Sequence, residues 1–230
     1  MGSTIAARAP LRLGVLVSGR GTNLQSIIDA IERGELNAII KLVISNRADA
    51  PGLIRAQRAK IPTRVIDQRR FGSREEFDGA MVDALRAAEV ELVACAGFMR
   101  ILSPVILDAF PNRIMNIHPS LLPAFPGLNA QKAALEHGTR LAGCTVFFVT
   151  PGTDDGPIIV QAAVPVMPDD DEQTLSDRIL AQEHRIYPLA ISLFQQGRLQ
   201  LRGRQVVVVD APKSIGRDAL MNPPLRPSRS

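Results

Sequence analysis

The run Leu11-Arg12-Leu13-Gly14-Val15-Leu16-Val17, followed by Ser18-Gly19-Arg20-Gly21-Thr22-Asn23-Leu24, decides how the chain folds. Its near-continuous Leu/Val character predicts a strand covered on both faces, the kind found in parallel sheets. After the Gly-rich turn, Leu24, Ile27, Ile28 and Ile31 recur at helical spacing and Gly34 stops the pattern, which predicts a helix over 22–33. Working outward, apolar runs at 39–44, 64–66, 91–96 and 113–117 read as strands. Amphipathic stretches alternate with them: 73–88 carries Phe77, Met81 and Leu85 four apart, and 131–136 precedes His137-Gly138. Such alternation predicts an α/β chain with an open, mostly parallel, twisted sheet and helices on both faces. Beyond residue 140 the pattern changes to two strands, 144–149 and 158–166, and one long C-terminal helix over 174–196, which Pro188 should kink.

The 230 residues, 46% hydrophobic and 22% charged, suffice for a sizeable core. No run of 18 apolar residues occurs, which excludes an apolar membrane helix. Residues 1–10 lack the apolar run and cleavage site of a secretory leader, so a cytoplasmic protein is expected. Cys95 and Cys144 have no CxxC partner and read as small core residues, and no His/Cys/carboxylate spacing resembles a metal site. Lys213, Arg217, Arg226 and Arg229 against Asp218 put +3 of the net charge of +4 into the last twenty residues. The rest therefore lacks the basic stripe of a nucleic-acid binder. The expected organisation is one domain over residues 1–203, then a strand remnant and a basic, proline-rich, partly disordered tail over 204–230.

Three segments carry candidate chemistry. In the first loop, glycines and a helix N-terminus offer an anion the backbone N–H groups and the positive dipole end. Leu24 stands where a dinucleotide fingerprint needs Gly, and no GK[ST] follows, so a phosphorylated small molecule fits better than NAD or ATP. Thr22 with Gln25 is equally readable as a capping box. In Arg113-Ile114-Met115-Asn116-Ile117-His118-Pro119, the strand period of two sends Asn116 and His118 to one face, at the strand end where open α/β sheets bind ligands. An amide beside an imidazole can hold an oxyanion and move a proton, or can be a satisfied structural pair. Thr150-Pro151-Gly152-Thr153-Asp154-Asp155-Gly156-Pro157 reads as a turn or as the source of a carboxylate for His118, on the expectation that neighbouring strands end on one edge. Glu183 lies on the apolar face of the long helix with Ile179 and Ile186, and needs either a salt-bridge partner or a ligand.

Taken together, SGRGTNLQSIIDA (18–30), AGFMRILSP (96–104), MNIHPSLLPAFPG (115–127), DDGPIIVQ (154–161) and AQEHRIYPLAI (181–191) resemble the phosphoribosylglycinamide formyltransferase family of purine synthesis. The resemblance spans residues 11–201. It implies a Rossmann-like formyltransferase fold and transfer of the formyl group of 10-formyltetrahydrofolate to the amine of glycinamide ribonucleotide, without a metal. By matching motif, Asn116, His118 and Asp154 would be the catalytic trio. Gly21, Thr22, Asn23 and Glu183 would bind the ribonucleotide. Arg74, Met99, Arg100, Ile101, Leu102, Asn116, Thr150 and Asp154 would form the folate site. The partners implied are these small molecules, with no nucleic acid and no membrane, for a monomer or homodimer. The alternatives are another folate-dependent formyl hydrolase or transferase, or a catalytically silent nucleotide-binding module. Two departures stand out: Phe147 occupies a position where relatives often have His, which argues against acid–base work there, and the tail beyond Asp210 has no counterpart.

Overall fold

The computed structural model describes residues 9–211 and 221–222. The described residues form ten strands: β1 (Leu11–Val17), β2 (Ala38–Ser45), β3 (Thr63–Val65), β4 (Leu92–Cys95), β5 (Ile114–His118), β6 (Leu141–Phe148), β7 (Ile158–Pro165), β8 (Leu199–Arg202), β9 (Gln205–Val208) and β10 (Met221–Asn222). The helices are α1 (Thr22–Glu32), α2 (Pro51–Arg58), α3 (Arg74–Ala87), α4 (Pro104–Ala109), α5 (Ala130–Glu136) and α6 (Glu172–Gln195), with a 3-10 turn at Gln68–Arg70. Eight strands form one sheet in the order β10-β7-β6-β5-β4-β1-β2-β3, and β8 and β9 form a separate hairpin.

From β5 to β3 the neighbouring strands pair in parallel. Each residue's parity decides which layer it joins. Leu92 and Ala94 pack with Leu24, Ile27, Ile186 and Ile191 of α1 and α6, whereas Val93 and Cys95 pack with Phe77, Met81, Leu85 and Ile106 of α3 and α4. That two-sided burial is what the continuous apolar runs predicted. Both cysteines are buried and free, and burial pushes the Cys95 thiol up to about 12.

Two short helices, α2 and α4, each start on a proline at the first turn and escaped the periodicity reading because they are only eight and six residues long. Helix α6 continues through Pro188 and is capped by Asp171, whose carboxylate accepts from the Thr174 N–H at 2.8 Å. The tail reading falls mainly outside the described residues. Within them, the β8–β9 hairpin pairs Arg202 with Gln205 across the Gly203-Arg204 turn, and β10 runs antiparallel to β7.

Candidate active site

The C-terminal edge of the parallel strands opens into a cleft of about 730 Å³. Its wall collects Ser18–Asn23 after β1, Asn46 and Arg47 after β2, Gln68 after β3, Gly97, Met99 and Arg100 after β4, and Ile117 and Pro119 at the end of β5. Glu183 closes it from α6. The helix is held at this height by Tyr187, one turn on, whose buried hydroxyl lies 3.0 Å from the carbonyl oxygens of both Cys95 and Met115.

Gly21 is the N-cap of α1, at φ 68°, and no side chain caps the helix. The Thr22–Gln25 capping box is therefore not formed, and the open end of α1 faces the cleft. Besides the positive φ, a Cβ on Gly21 would lie 2.6 Å from the Gly52 Cα, so the glycine is required by packing against the start of α2 before any ligand is considered. Behind this loop, Ser18 Oγ donates to Asn46 Oδ1 at 2.7 Å and accepts the Met99 N–H at 2.9 Å. One hydroxyl thus ties the ends of β1 and β2 to the loop after β4.

Glu183 is only 7% exposed, and its Oε2 accepts from Asn23 Nδ2 at 2.7 Å. Burial raises its pKa, while the Asn23 hydrogen bond and the Arg20 guanidinium pull the other way. The buried Asn23 Oδ1 has no hydrogen-bond partner among the described residues. A buried pair with an unfilled acceptor beside a cleft is suited to a ligand carrying N–H or O–H donors.

His118 is buried at the end of β5, with Nδ1 3.3 Å from Asp154 Oδ2 and Nε2 2.9 Å from the Phe125 carbonyl oxygen. Both ring nitrogens thus face acceptors, an arrangement that a ring carrying two N–H groups satisfies. Asp154 Oδ2 also accepts the Gly127 N–H at 2.8 Å. The sequence brings these groups together for a reason other than the one expected. Strand β6 is antiparallel to β5, with Thr145 opposite His118 and Phe148 opposite Met115. The loop over 149–157 therefore leaves the ladder at the far end of β5, and Asp154, in a left-handed backbone conformation at φ 51°, reaches the imidazole by folding back over the sheet. Asn116 lies two residues before His118 on the same side of β5, half-buried, and its amide makes no hydrogen bond among the described residues. Directly across the ladder stands Phe147, buried and apolar.

The cleft and the His118–Asp154 pair adjoin at Ile117 and Pro119. A model of the formyl transferase family matches residues 11–191. The phosphoribosylglycinamide formyltransferase of Escherichia coli K12 is 45% identical over 191 residues, which cover 83% of this chain and 90% of that protein. The chain belongs to the phosphoribosylglycinamide formyltransferase family. The structure of glycinamide ribonucleotide transformylase 1 from Symbiobacterium toebii superimposes with a TM-score of 0.86 at 56% identity, covering 87% of this chain and 95% of that one. The trifunctional purine biosynthetic protein adenosine-3 of Drosophila pseudoobscura is 50% identical over 206 residues, but this chain spans only 15% of its length.

Of the residues singled out from the sequence, Gly21, Thr22, Asn23, Met99, Arg100 and Glu183 line the cleft, and His118 and Asp154 pair beside it. Met99 and Ile101 are 67% and 57% exposed, whereas Leu102 points into the α3–α4 core. Arg74 begins α3, 3.8 Å from Glu75. The Thr150 hydroxyl donates to Asp155. Sequence reasoning missed Ser18 and Asn46 as a clamp, Gln68 as a wall, and the Phe125 carbonyl and Gly127 N–H as partners of the His118–Asp154 pair. Only the Pro-Gly turn after Phe125 hinted that backbone groups would be presented there. Among the described residues no group of three or more His, Cys, Asp or Glu side chains gathers to hold a metal, and no helix is long and apolar enough to cross a membrane.

Proposed function

We propose that this chain transfers the formyl group of 10-formyltetrahydrofolate to the primary amine of glycinamide ribonucleotide, in purine synthesis, with Asn116, His118 and Asp154 at the reacting centre. The observation that carries this reading is His118 held between Asp154 and the Phe125 carbonyl, next to a cleft whose far end is an uncapped helix terminus.

The ribonucleotide phosphate rests on the N–H groups of Thr22 and Asn23 at the start of α1, where the helix dipole favours an anion. Arg20 adds positive charge to that end of the cleft, while the Arg47 guanidinium beside it is paired with Asp49. Glu183 and the spare Asn23 oxygen accept hydrogen bonds from the glycinamide nitrogens or ribose hydroxyls. The folate lies on the backbone of 99–102, where the exposed Met99 and Ile101 side chains offer apolar contact, with Arg74 and the 150–154 turn completing its site.

With both substrates in place, the amine attacks the formyl carbon and its oxygen becomes an oxyanion. The Asn116 amide and the His118 ring donate hydrogen bonds to it, which typically accounts for about 3 kcal/mol per donor. To meet the oxyanion, the imidazole exchanges its contact with Phe125 for one with substrate, while Asp154 stays on the other nitrogen and stabilises the charge. Proton transfer from the attacking amine to the departing folate nitrogen completes the reaction, by way of His118 or a water held by Asp154. Phe147 contributes no acid–base group. Both substrates are diffusible small molecules; we place the reaction in the cytoplasm and the protein as a monomer or homodimer, with no nucleic acid involved.

Initial-rate kinetics test the assignment. Tetrahydrofolate release should require both substrates and saturate in each. Release that proceeds equally without glycinamide ribonucleotide would point to a hydrolase on the same fold.

A further inference from the structure

Helix α3 carries a carboxylate that the reaction above does not use. Asp78 is 1% exposed, and its Oδ2 accepts the Ser103 N–H at 2.5 Å. Among the described residues its Oδ1 and the Ser103 hydroxyl are both buried without a hydrogen bond of good geometry, although the hydroxyl is close enough to stabilise the carboxylate. An asparagine would satisfy the same N–H, and its amide could reach that hydroxyl, without a buried charge.

Ser103 ends the segment that leaves β4 and lines the cleft. At its start the segment is pinned to the first loop: the Ser18 N–H donates to the Gly97 carbonyl at 3.0 Å, and Ser18 Oγ accepts the Met99 N–H. At its end the hydrogen bond from Ser103 to Asp78 is the matching pin. Between them, Leu102 anchors in the α3–α4 core and the Arg100 guanidinium lies 5.6 Å from the centroid of the Phe77 ring, the residue before Asp78. Met99 and Ile101 stay exposed. Burial raises the Asp78 pKa; against it act the Ser103 N–H and hydroxyl and two cations, Arg74, one turn earlier on α3, and Arg100 from the segment itself.

We propose that Asp78 is a positioning residue for the folate: its carboxylate holds the 97–103 segment in the conformation that presents the 99–102 backbone to the pterin, through the Ser103 N–H and the charge of Arg100. This rests on the functional reading given above. A charged acceptor holds an N–H more firmly than a neutral one, so the effect should grade from Asp through Asn to Ala.

The test is steady-state kinetics of Asp78→Asn and Asp78→Ala in the full chain, with amide hydrogen exchange over 97–103. Asp78→Asn should raise KM for 10-formyltetrahydrofolate about threefold and Asp78→Ala about tenfold or more, the range expected for losing a hydrogen bond to a charged group. In both, KM for glycinamide ribonucleotide and kcat should stay within about twofold, and the Ser103 amide should exchange faster in the same order. An unchanged folate KM, or equal increases for both substrates, overturns the proposal. If Asp78→Ala does not fold, the same split in Asp78→Asn decides. A parent that transfers no formyl group would overturn the functional reading instead, and the exchange of the Ser103 amide in the variants would then still judge the anchor.

Discussion

Asn23 and Glu183 stand 160 residues apart in sequence, yet the Asn23 amide donates to Glu183 Oε2 at 2.7 Å in the wall of the cleft. The pair joins the first turn of α1 to the middle of α6, so the open N-terminus of α1 and the carboxylate are fixed relative to each other. Burial raises the Glu183 pKa, which makes the charged form a burden on the fold. The sign follows directly. Between its unfolded pKa and its raised folded pKa the native state holds the proton that the unfolded state has lost, so stability falls as pH rises through that window. Glu183→Gln should remove this fall, leaving the variant at least as stable as the parent at neutral pH, while weakening glycinamide ribonucleotide binding about tenfold or more by losing a charged acceptor. Thermal midpoints against pH, with calorimetric titration of the ribonucleotide, check both halves.

His118→Ala should lower kcat by roughly 10²–10³-fold, the usual cost of removing a donor to a developing oxyanion. Calorimetry should find both ligands still bound within a few-fold. Turnover near that of the parent would remove His118 from the reacting centre.

Much of this site was legible in the sequence because strand and helix periods are local. Leu24, Ile27, Ile28 and Ile31 predicted α1, and the period of two correctly placed Asn116 and His118 on one side of β5. Glu183 on an apolar helix face announced a buried charge, and its partner proved to be Asn23. What could not be read is pairing direction. Whether β6 runs with or against β5 depends on how residues 119–140 fold back, and that is a tertiary matter. Asp154 was therefore placed correctly beside His118 on an incorrect premise about strand ends. Likewise, Gly21 reads as a site for ligand approach, and its close contact with Gly52, which joins the starts of α1 and α2 across 31 positions, adds a packing requirement that leaves no local trace. Asp78 looked like any polar residue in an amphipathic helix until its burial under Ser103 was seen.

The glycines of the first loop separate packing from ligand contact. Gly21→Ala places a Cβ against Gly52 at a positive φ and should destabilise the fold by about 1–3 kcal/mol without any ligand. Gly19 has ordinary φ and nothing within 4 Å of its would-be Cβ, so Gly19→Ala should keep the parent's thermal midpoint. Any loss of ribonucleotide affinity in Gly19→Ala then reports the ligand's own approach to this loop. Differential scanning calorimetry followed by titration distinguishes the two variants.

The C-terminal segment offers a further contrast. Arg204, at the tip of the β8–β9 hairpin, donates to the Asp155 carbonyl next to Asp154. Removing residues 204–230 should take away both β9 and this brace, lowering kcat several-fold through a looser 149–157 turn, with less effect on ribonucleotide binding. Arg204→Ala alone should give part of that loss with an unchanged thermal midpoint. Equal activity in the parent and both variants would show that the hairpin does not support the turn.

The most direct measurement follows the formyl carbon itself. With 10-formyltetrahydrofolate labelled at that carbon by ¹³C, and glycinamide ribonucleotide as acceptor, the label should appear as N-formylated ribonucleotide, mole for mole with tetrahydrofolate, and formate should stay at the level of an enzyme-free control. His118→Ala should slow the appearance of both products together. Label emerging as formate at the same rate with or without the ribonucleotide would contradict the account.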